Sequence, residues 1–315
     1  MKIIVSVIVP VYNESIGVLL AHKALTSELS KHNEAFEIIF VDDGSTDDSF
    51  FHLKNIAEKD TKIKVLKLST NCGSHMAIRA GLLHASGDCA GFIACDLQEP
   101  PELIYKMKSK LSEQHNIVWA VRNSRKDSLR TKIHSTIFYW LARTMVTKDI
   151  PPSGATMFVL SSKAVKALNM YSERNMTLLG LFSSTGFKTT LVHYEGTNRI
   201  LGKSKWTLAK KLKLTIDFFV ASSNTPIRMV SIVGIGFSLL GFGWTAYILL
   251  REMFVGDLAS GWPALLSVIL IGFGITNISL GGIIAEYLWR TLDEARGRPR
   301  YIVEEALNFN IDKTN

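Results

Sequence analysis

An α/β domain with a mainly parallel sheet, followed by a pair of membrane-spanning helices, is the fold class this 315-residue chain predicts. Three observations carry it. From residue 1 to about 200, short β-branched runs alternate with stretches of helical spacing, the pattern of successive βαβ units. Two apolar runs without a charged residue follow, Met229 to Leu250 and Ala264 to Ala285. With 47% apolar and only 20% charged residues, the composition excludes a disordered, collagen-like or low-complexity chain.

Taken in order, the strand candidates are Ile3 to Val9, Phe36 to Val41, Lys62 to Leu68, Cys89 to Cys95 and Asn116 to Val121. Ile16 to Lys31, Asp47 to Lys59, Ser74 to Ala85 and Pro101 to Glu113 carry apolar residues at helical spacing. The first apolar run is too short to span a bilayer, is interrupted by Pro10 and lacks a small-residue cleavage site, so it is a strand and not a signal peptide. Cys72, Cys89 and Cys95 are odd in number and form no Cys-x-x-Cys, which argues against a disulfide framework or a zinc site.

Each long apolar run has about the ~20 residues that a helix needs to cross ~30 Å of hydrocarbon. Lys203, Lys205, Lys210, Lys211, Lys213 and Arg228 precede the first, and Arg290, Arg296, Arg298 and Arg300 follow the second. The link between them, Arg251 to Pro263, holds a single basic residue, so the positive-inside rule puts both termini in the cytoplasm. The expected organisation is a cytoplasmic α/β domain over 1–200, an amphipathic juxtamembrane segment over 201–228, two transmembrane helices within 229–290 and a cytoplasmic tail over 291–315, all on the inner membrane.

In a parallel α/β sheet, ligands sit beyond the carboxyl ends of the strands. Those positions are polar here: Pro10-Val11-Tyr12-Asn13-Glu14 after strand one, Asp42-Asp43-Gly44-Ser45 after strand two, Asp96-Leu97-Gln98-Glu99 after strand four. The second of these also suits a turn and helix cap. Carboxylates at three neighbouring strand ends repel one another unless a cation or hydrogen-bond donors fill the space between them. Asp96 and Gln98 offer oxygen ligands at alternate positions of an extended segment, which suits Mg²⁺ or Mn²⁺ shared with a pyrophosphate. No Gly-x-Gly-x-x-Gly follows strand one and no Walker sequence occurs, so dinucleotide oxidoreductase and P-loop chemistry lose their main support.

These segments, with Asn71-Cys72-Gly73, Gly81, Gly87-Asp88, Pro100-Pro101-Glu102 and Gly202-Lys203-Ser204-Lys205-Trp206, resemble the family-2 glycosyltransferases of GT-A fold. Within that family the similarity is to the polyprenyl-phosphate glycosyltransferases, the group of bactoprenol glucosyltransferase and dolichyl-phosphate mannose synthase, and it covers nearly the whole chain. The resemblance implies that Pro10, Tyr12, Glu14 and Asp43 line the base and ribose pocket of a nucleotide sugar, with Asp42 supporting them. It makes Asp96 the catalytic residue and Asp96 with Gln98 the metal-binding segment. Arg122, Arg125, Lys132 and Ser135 fall where the family grips the acceptor phosphate, and Arg199, Ser204 and Lys205 match a basic loop that closes over the site.

The implied reaction is inverting transfer of a hexose, glucose from a UDP-linked donor, to polyprenyl (undecaprenyl) phosphate. A phosphate monoester with a second pKa near ~6 is largely dianionic at neutral pH, so no strong general base is required. The implied partners are the nucleotide-sugar donor, the lipid-phosphate acceptor, membrane lipid and further copies of the chain, up to a tetramer. Between Lys106 and Lys148, ten Lys/Arg stand against Glu113 and Asp127 alone. No nucleic-acid motif accompanies that charge, so no nucleic-acid partner is expected. A solvated face is one reading of the charge; a membrane surface explains more, because Lys132 to Val146 places Ile133, Ile137, Leu141 and Met145 on one helical stripe, which equally suits core packing.

Two departures from the family pattern stand out. Ala94 occupies the position two before Asp96 where the family usually writes Asp, and Ala155-Thr156-Met157-Phe158 stands where many relatives carry Gly-Asp-Phe-Arg. Two competing readings follow the same residues. A processive polysaccharide synthase lacks its Gln-x-x-Arg-Trp signature here, and two spans make a poor polymer channel; a membrane scaffold that has lost metal binding has Ala94 as its best support.

Overall fold

The computed structural model describes residues 2–123, 129–147, 150–151, 154–173, 177–195, 215, 218, 225–255 and 262–309. The chain divides into two compact units, Met1–Phe218 with Pro299–Asn315, and Phe219–Arg298. The first has a GT-A-like α/β fold around one mostly parallel sheet.

Its elements in chain order are β1 (Val5–Val11), α1 (Ser15–Leu29), β2 (Phe36–Asp42), α2 (Ser49–Ala57), β3 (Ile63–Leu68), α3 (Ser74–Leu83), β4 (Cys89–Phe92), α4 (Leu103–Lys108) and β5 (Ile117–Arg122). These are followed by α5 (Leu129–Met145), β6 (Met157–Ser161), α6 (Ser162–Asn169), α7 (Leu178–Ser184) and β7 (Thr189–Tyr194). A last strand, β8 (Val303–Leu307), comes from the far end of the chain. The eight strands lie in the order β7-β5-β6-β4-β1-β2-β3-β8. β1 is parallel to β2 and β4, β2 to β3, and β5 to β7. β6 runs antiparallel to β4 and β5, and β8 antiparallel to β3.

β1 and β2 read as near-continuous apolar runs because both faces of the sheet are covered. On one face, Val7, Val9, Ile38, Phe40 and Val65 pack with Val18, Ala21, Leu25 and Leu29 of α1, whose three- and four-residue spacing makes a helical stripe. On the other, α3 comes so close that a Cβ on Gly81 would lie 2.5 Å from Ile8 Cγ2. Glycine is required there.

The first five strand candidates all appear. The fourth stops at Phe92, short of Cys95, because the chain turns to present Asp96. The helix expected over 101–113 shrinks to α4, since the Ser112 amide bonds back from His115 in a turn. The stretch 291–315, expected as a tail, supplies β8 at the β3 edge. Glu304 pairs with Lys67 at 2.8 Å and Glu305 with Lys54 at 3.8 Å. Asn308 Nδ2 donates to the carbonyls of Ala57 and Ile63, at 2.7 and 2.8 Å, and Arg300 donates to those of Ser172 and Tyr171.

The second unit consists of α8 (Thr225–Val255) and α9 (Trp262–Ala295), packed on each other. Small residues permit the approach: a Cβ on Gly272 would stand 3.1 Å from the Phe237 ring. Most large apolar side chains of the pair, such as Leu240, Phe242, Phe254 and Ile278, are exposed. Among the described residues, Val268–Ala295 is long and apolar enough to cross a membrane, with mean hydropathy 2.0, and Ile232–Ile248 is a shorter apolar stretch.

Candidate active site

Strands β4, β1 and β2 are adjacent and parallel, so the segments that follow them leave the same edge of the sheet. β6 reverses direction between β4 and β5, which returns the end of β5 and the end of β7 to that edge as well. Three of the acidic segments singled out in the sequence are thereby neighbours, and Arg122 closes the row at the end of β5.

The first two segments are laced together. Asn13 adopts a left-handed conformation (φ 52°), which asparagine tolerates better than most residues. Its amide donates to Ser45 Oγ at 3.0 Å while its own Oδ1 accepts from the Thr46 amide at 2.8 Å. The Glu14 amide donates to Ser49 Oγ at 2.9 Å. Pro10 and Glu14 are half-buried, and Tyr12 lies exposed at the rim.

Asp42 and Asp43 are both buried. Asp42 Oδ1 accepts from the Ser45 amide at 3.3 Å, and its Oδ2 is buried without a hydrogen bond. Burial raises its pKa. Asp43 accepts from the Cys72 and Gly73 amides at 2.7 and 2.9 Å, which explains Asn71-Cys72-Gly73 as part of the pattern. Burial nevertheless pushes Asp43 up to about 6, helped by the Asp42 charge and opposed by those two N–H groups. Gly44 makes the turn possible: φ is +69°, and a Cβ there would lie 2.7 Å from the Thr70 carbonyl carbon.

Asp96 and Gln98 come together differently from the expected extended segment. Residues 95 and 96 form a turn, and Leu97 takes φ 52°, a conformation that costs a non-glycine residue about 1–2 kcal/mol. The Leu97 side chain packs on the core, which holds the turn. The result sets Gln98 Nε2 2.8 Å from Asp96 Oδ2. Reversing the Gln98 amide would present its oxygen beside the Asp96 carboxylate, a pair of hard donors suited to a divalent cation. Among the described residues, no three His, Cys, Asp or Glu gather at one point. A cation at Asp96 and Gln98 would therefore complete its shell with phosphate oxygens and water, as Mg²⁺ commonly does.

Three residues to which the sequence analysis assigns no role come together beside this segment. Glu99 is buried, Tyr194 donates its hydroxyl to Glu99 Oε1 at 3.3 Å, and Thr156 Oγ1 lies 2.7 Å from the Tyr194 oxygen. Burial, with the Asp96 charge beside it, pushes Glu99 up to about 7, against the pull of Tyr194 and Arg122. Tyr194 ends a strand, so the strand-end rule would have found it had β7 been recognised. Arg122 is half-buried at the end of β5. Lys132 and Ser135 belong to α5. Arg125, Arg199, Ser204 and Lys205 lie outside the described residues.

Residues 6–167 match glycosyl transferase family 2. The chain is 35% identical over 302 residues to the uncharacterized glycosyltransferase YkcC of Bacillus subtilis, covering 96% of this chain and 93% of that one. It is 31% identical over 309 residues to the undecaprenyl-phosphate 4-deoxy-4-formamido-L-arabinose transferase of Sodalis glossinidius, covering 97% and 94%. A crystal structure of glucosyl-3-phosphoglycerate synthase from Mycobacterium tuberculosis aligns with 68% of this chain and 76% of its own at TM-score 0.47 and 16% identity, too distant to bear on chemistry. With a family match that begins on β1 and ends within α6, and relatives alike over almost their full length, the chain belongs to glycosyl transferase family 2.

Proposed function

We propose that this glycosyltransferase moves a hexose, glucose from UDP-glucose, to undecaprenyl phosphate with inversion at the anomeric carbon, at the cytoplasmic face of the inner membrane. One observation carries the proposal: buried Asp42 and Asp43 and the Asp96–Gln98 pair follow strands that flank β1 at the same sheet edge. One pair suits hydroxyl and N–H donors of a nucleoside, the other a cation with its diphosphate. The 31% identity with a transferase named for undecaprenyl phosphate supports the choice of acceptor.

In this account Asp43, fixed by two backbone N–H groups, accepts from the ribose hydroxyls, with Asp42 behind it, and Pro10, Tyr12 and Glu14 border the base. Asp96 and Gln98 would hold Mg²⁺ or Mn²⁺, which would supply positive charge to stabilise the departing nucleoside diphosphate. Arg122, with Arg125, Lys132 and Ser135 and the basic loop of Arg199, Ser204 and Lys205, offsets the repulsion between acceptor phosphate and donor diphosphate. A phosphate oxygen of the acceptor forms its bond to the anomeric carbon from the face opposite the breaking bond, and the nucleoside diphosphate leaves with that electron pair. No side chain has to remove a proton.

A lipid acceptor requires the catalytic unit at a membrane. The exposed apolar surfaces of α8 and α9 favour a bilayer as their environment. We infer a two-helix hairpin, because the chain leaves the sheet after β7 and returns to it as β8. Two ends on one sheet lie on one side of a bilayer, which is how a hairpin would leave them.

The test is incubation of membranes carrying the protein with labelled UDP-sugars, Mg²⁺ or Mn²⁺, and undecaprenyl phosphate. A lipid-extractable glycosyl phosphate is the expected product. Label in a high-mass polymer would identify a synthase instead, and absence of turnover with every donor would leave the scaffold.

A further inference from the structure

The network around Glu99 has no part in the mechanism above, and its bonding sets it apart from ordinary structural carboxylates in this fold. Glu37, buried in the sheet at 1% exposure, is fully served: Ser6 Oγ at 2.5 Å, Ser86 N at 2.7 Å and Lys64 Nζ at 2.5 Å. Glu99 is 6% exposed, yet its Oε2 is buried and accepts no hydrogen bond. Among the described residues, the side-chain hydrogen bond it receives comes from Tyr194, itself buried. The Tyr194 oxygen lies 2.7 Å from Thr156 Oγ1, which also reaches Ala120 O at 3.4 Å. The Thr156 amide donates to Ala120 O at 3.1 Å, and the Asn123 amide to Tyr194 O at 2.9 Å. Four segments of the carboxyl edge are thus tied: the one after β4, the end of β5, the start of β6 and the end of β7.

Glu99 adjoins Gln98 on one side and Pro100-Pro101 on the other, so its backbone is held by two residues of fixed φ. Arg122 lies near enough for its charge to act on both Glu99 and Tyr194. We propose that Glu99 and Tyr194 are positioning residues that fix the Asp96–Gln98 segment relative to Arg122, and so set the alignment of donor and acceptor phosphates. The inference rests on the transfer reaction proposed above. Its physical basis is that misplacement of two reacting groups by about 1 Å costs on the order of a hundredfold in rate.

Tyr194→Phe removes only the hydroxyl. In the full-length enzyme in membranes, kcat/KM for undecaprenyl phosphate falls roughly tenfold to a hundredfold, while the dissociation constant for UDP-glucose, measured by calorimetry, stays within about twofold of wild type. Thr156→Val gives the same split with a smaller loss, and Thr156→Ser restores wild-type kinetics. A merely structural role would lower the yield of active enzyme and the melting temperature without separating acceptor from donor. Unchanged acceptor kinetics in Tyr194→Phe, or equal losses for donor and acceptor, overturn the inference alone. A wild type that never glycosylates the lipid overturns the reaction and this inference with it. Should Tyr194→Phe fail to fold, Thr156→Val decides between the same outcomes.

Discussion

Asp43 is a residue whose charge state should be visible in donor binding. Its folded pKa of about 6 exceeds the ordinary aspartate value, so the folded chain binds this proton more tightly than the unfolded one. The contribution of Asp43 to stability is therefore present at low pH and lost as pH rises towards 6. Donor binding runs the other way, because ribose hydroxyls need the carboxylate as acceptor. UDP-glucose affinity falls as pH drops below about 6, approaching tenfold per unit. Asp43→Asn removes that dependence, along with much of the affinity. Calorimetry between pH 5 and 7.5 checks both, and a flat wild-type profile contradicts the role. Glu37 has the opposite sign. Burial works against its charge, but Lys64, Ser6 and Ser86 outweigh that and hold the carboxyl below its usual value. Glu37→Ala strands a largely buried Lys64 and is expected to cost about 3–5 kcal/mol in denaturant titration. Asp42, Asp43, Asp96 and Gln98 were legible because strand-end carboxylates stand out in an apolar chain. Glu99 was not, because a missing hydrogen bond in a buried site leaves no mark in sequence.

Elements with strong apolar runs declared themselves, and those built from mixed residues did not. β1 and β2 are covered on both faces and are built mostly of Val, Ile and Phe, with Ser6 and Glu37 bonded to each other within the sheet. β8 reads Val-Glu-Glu-Ala-Leu, with glutamates matched to lysines of β3 and α2, and nothing within those five residues announces a strand. Its partner lies more than two hundred residues upstream. β6 and β7 lie beyond residue 121, where the sequence analysis assigns no strand. The turn at Leu97 was also hidden, since alternate oxygen donors suggest an extended segment until a left-handed residue folds them together. Edge strands are held largely by their caps and side pairs. Asn308→Ala is expected to cost about 1–3 kcal/mol. Hydrogen exchange should then quicken in β8 before any other strand; protection unchanged in β8 would mean that Asn308 is not its anchor.

For the whole molecule, the proposed hairpin ties membrane topology to the pairing of β8 with β3. In the proposed hairpin β8 stays on the same side of the bilayer as β3, whereas a single crossing would separate the two strands. Ser260→Cys, in the link between the apolar runs, should react with an impermeant maleimide in intact spheroplasts. Lys110→Cys, exposed on the catalytic unit, should react only after permeabilisation. Both sites reacting on the same side contradicts the hairpin. Charge asymmetry in the sequence carried the expected sidedness, while the strand on which the proposed hairpin rests came only with the sheet.

The most direct measurement is Asp96→Ala in the transfer assay, with equal amounts of membrane-inserted protein as the control. Loss of sugar transfer to undecaprenyl phosphate at every Mg²⁺ and Mn²⁺ concentration, with insertion intact, is the predicted result. Substantial residual transfer by that variant would contradict the assignment of the cation and the leaving group to the β4 turn.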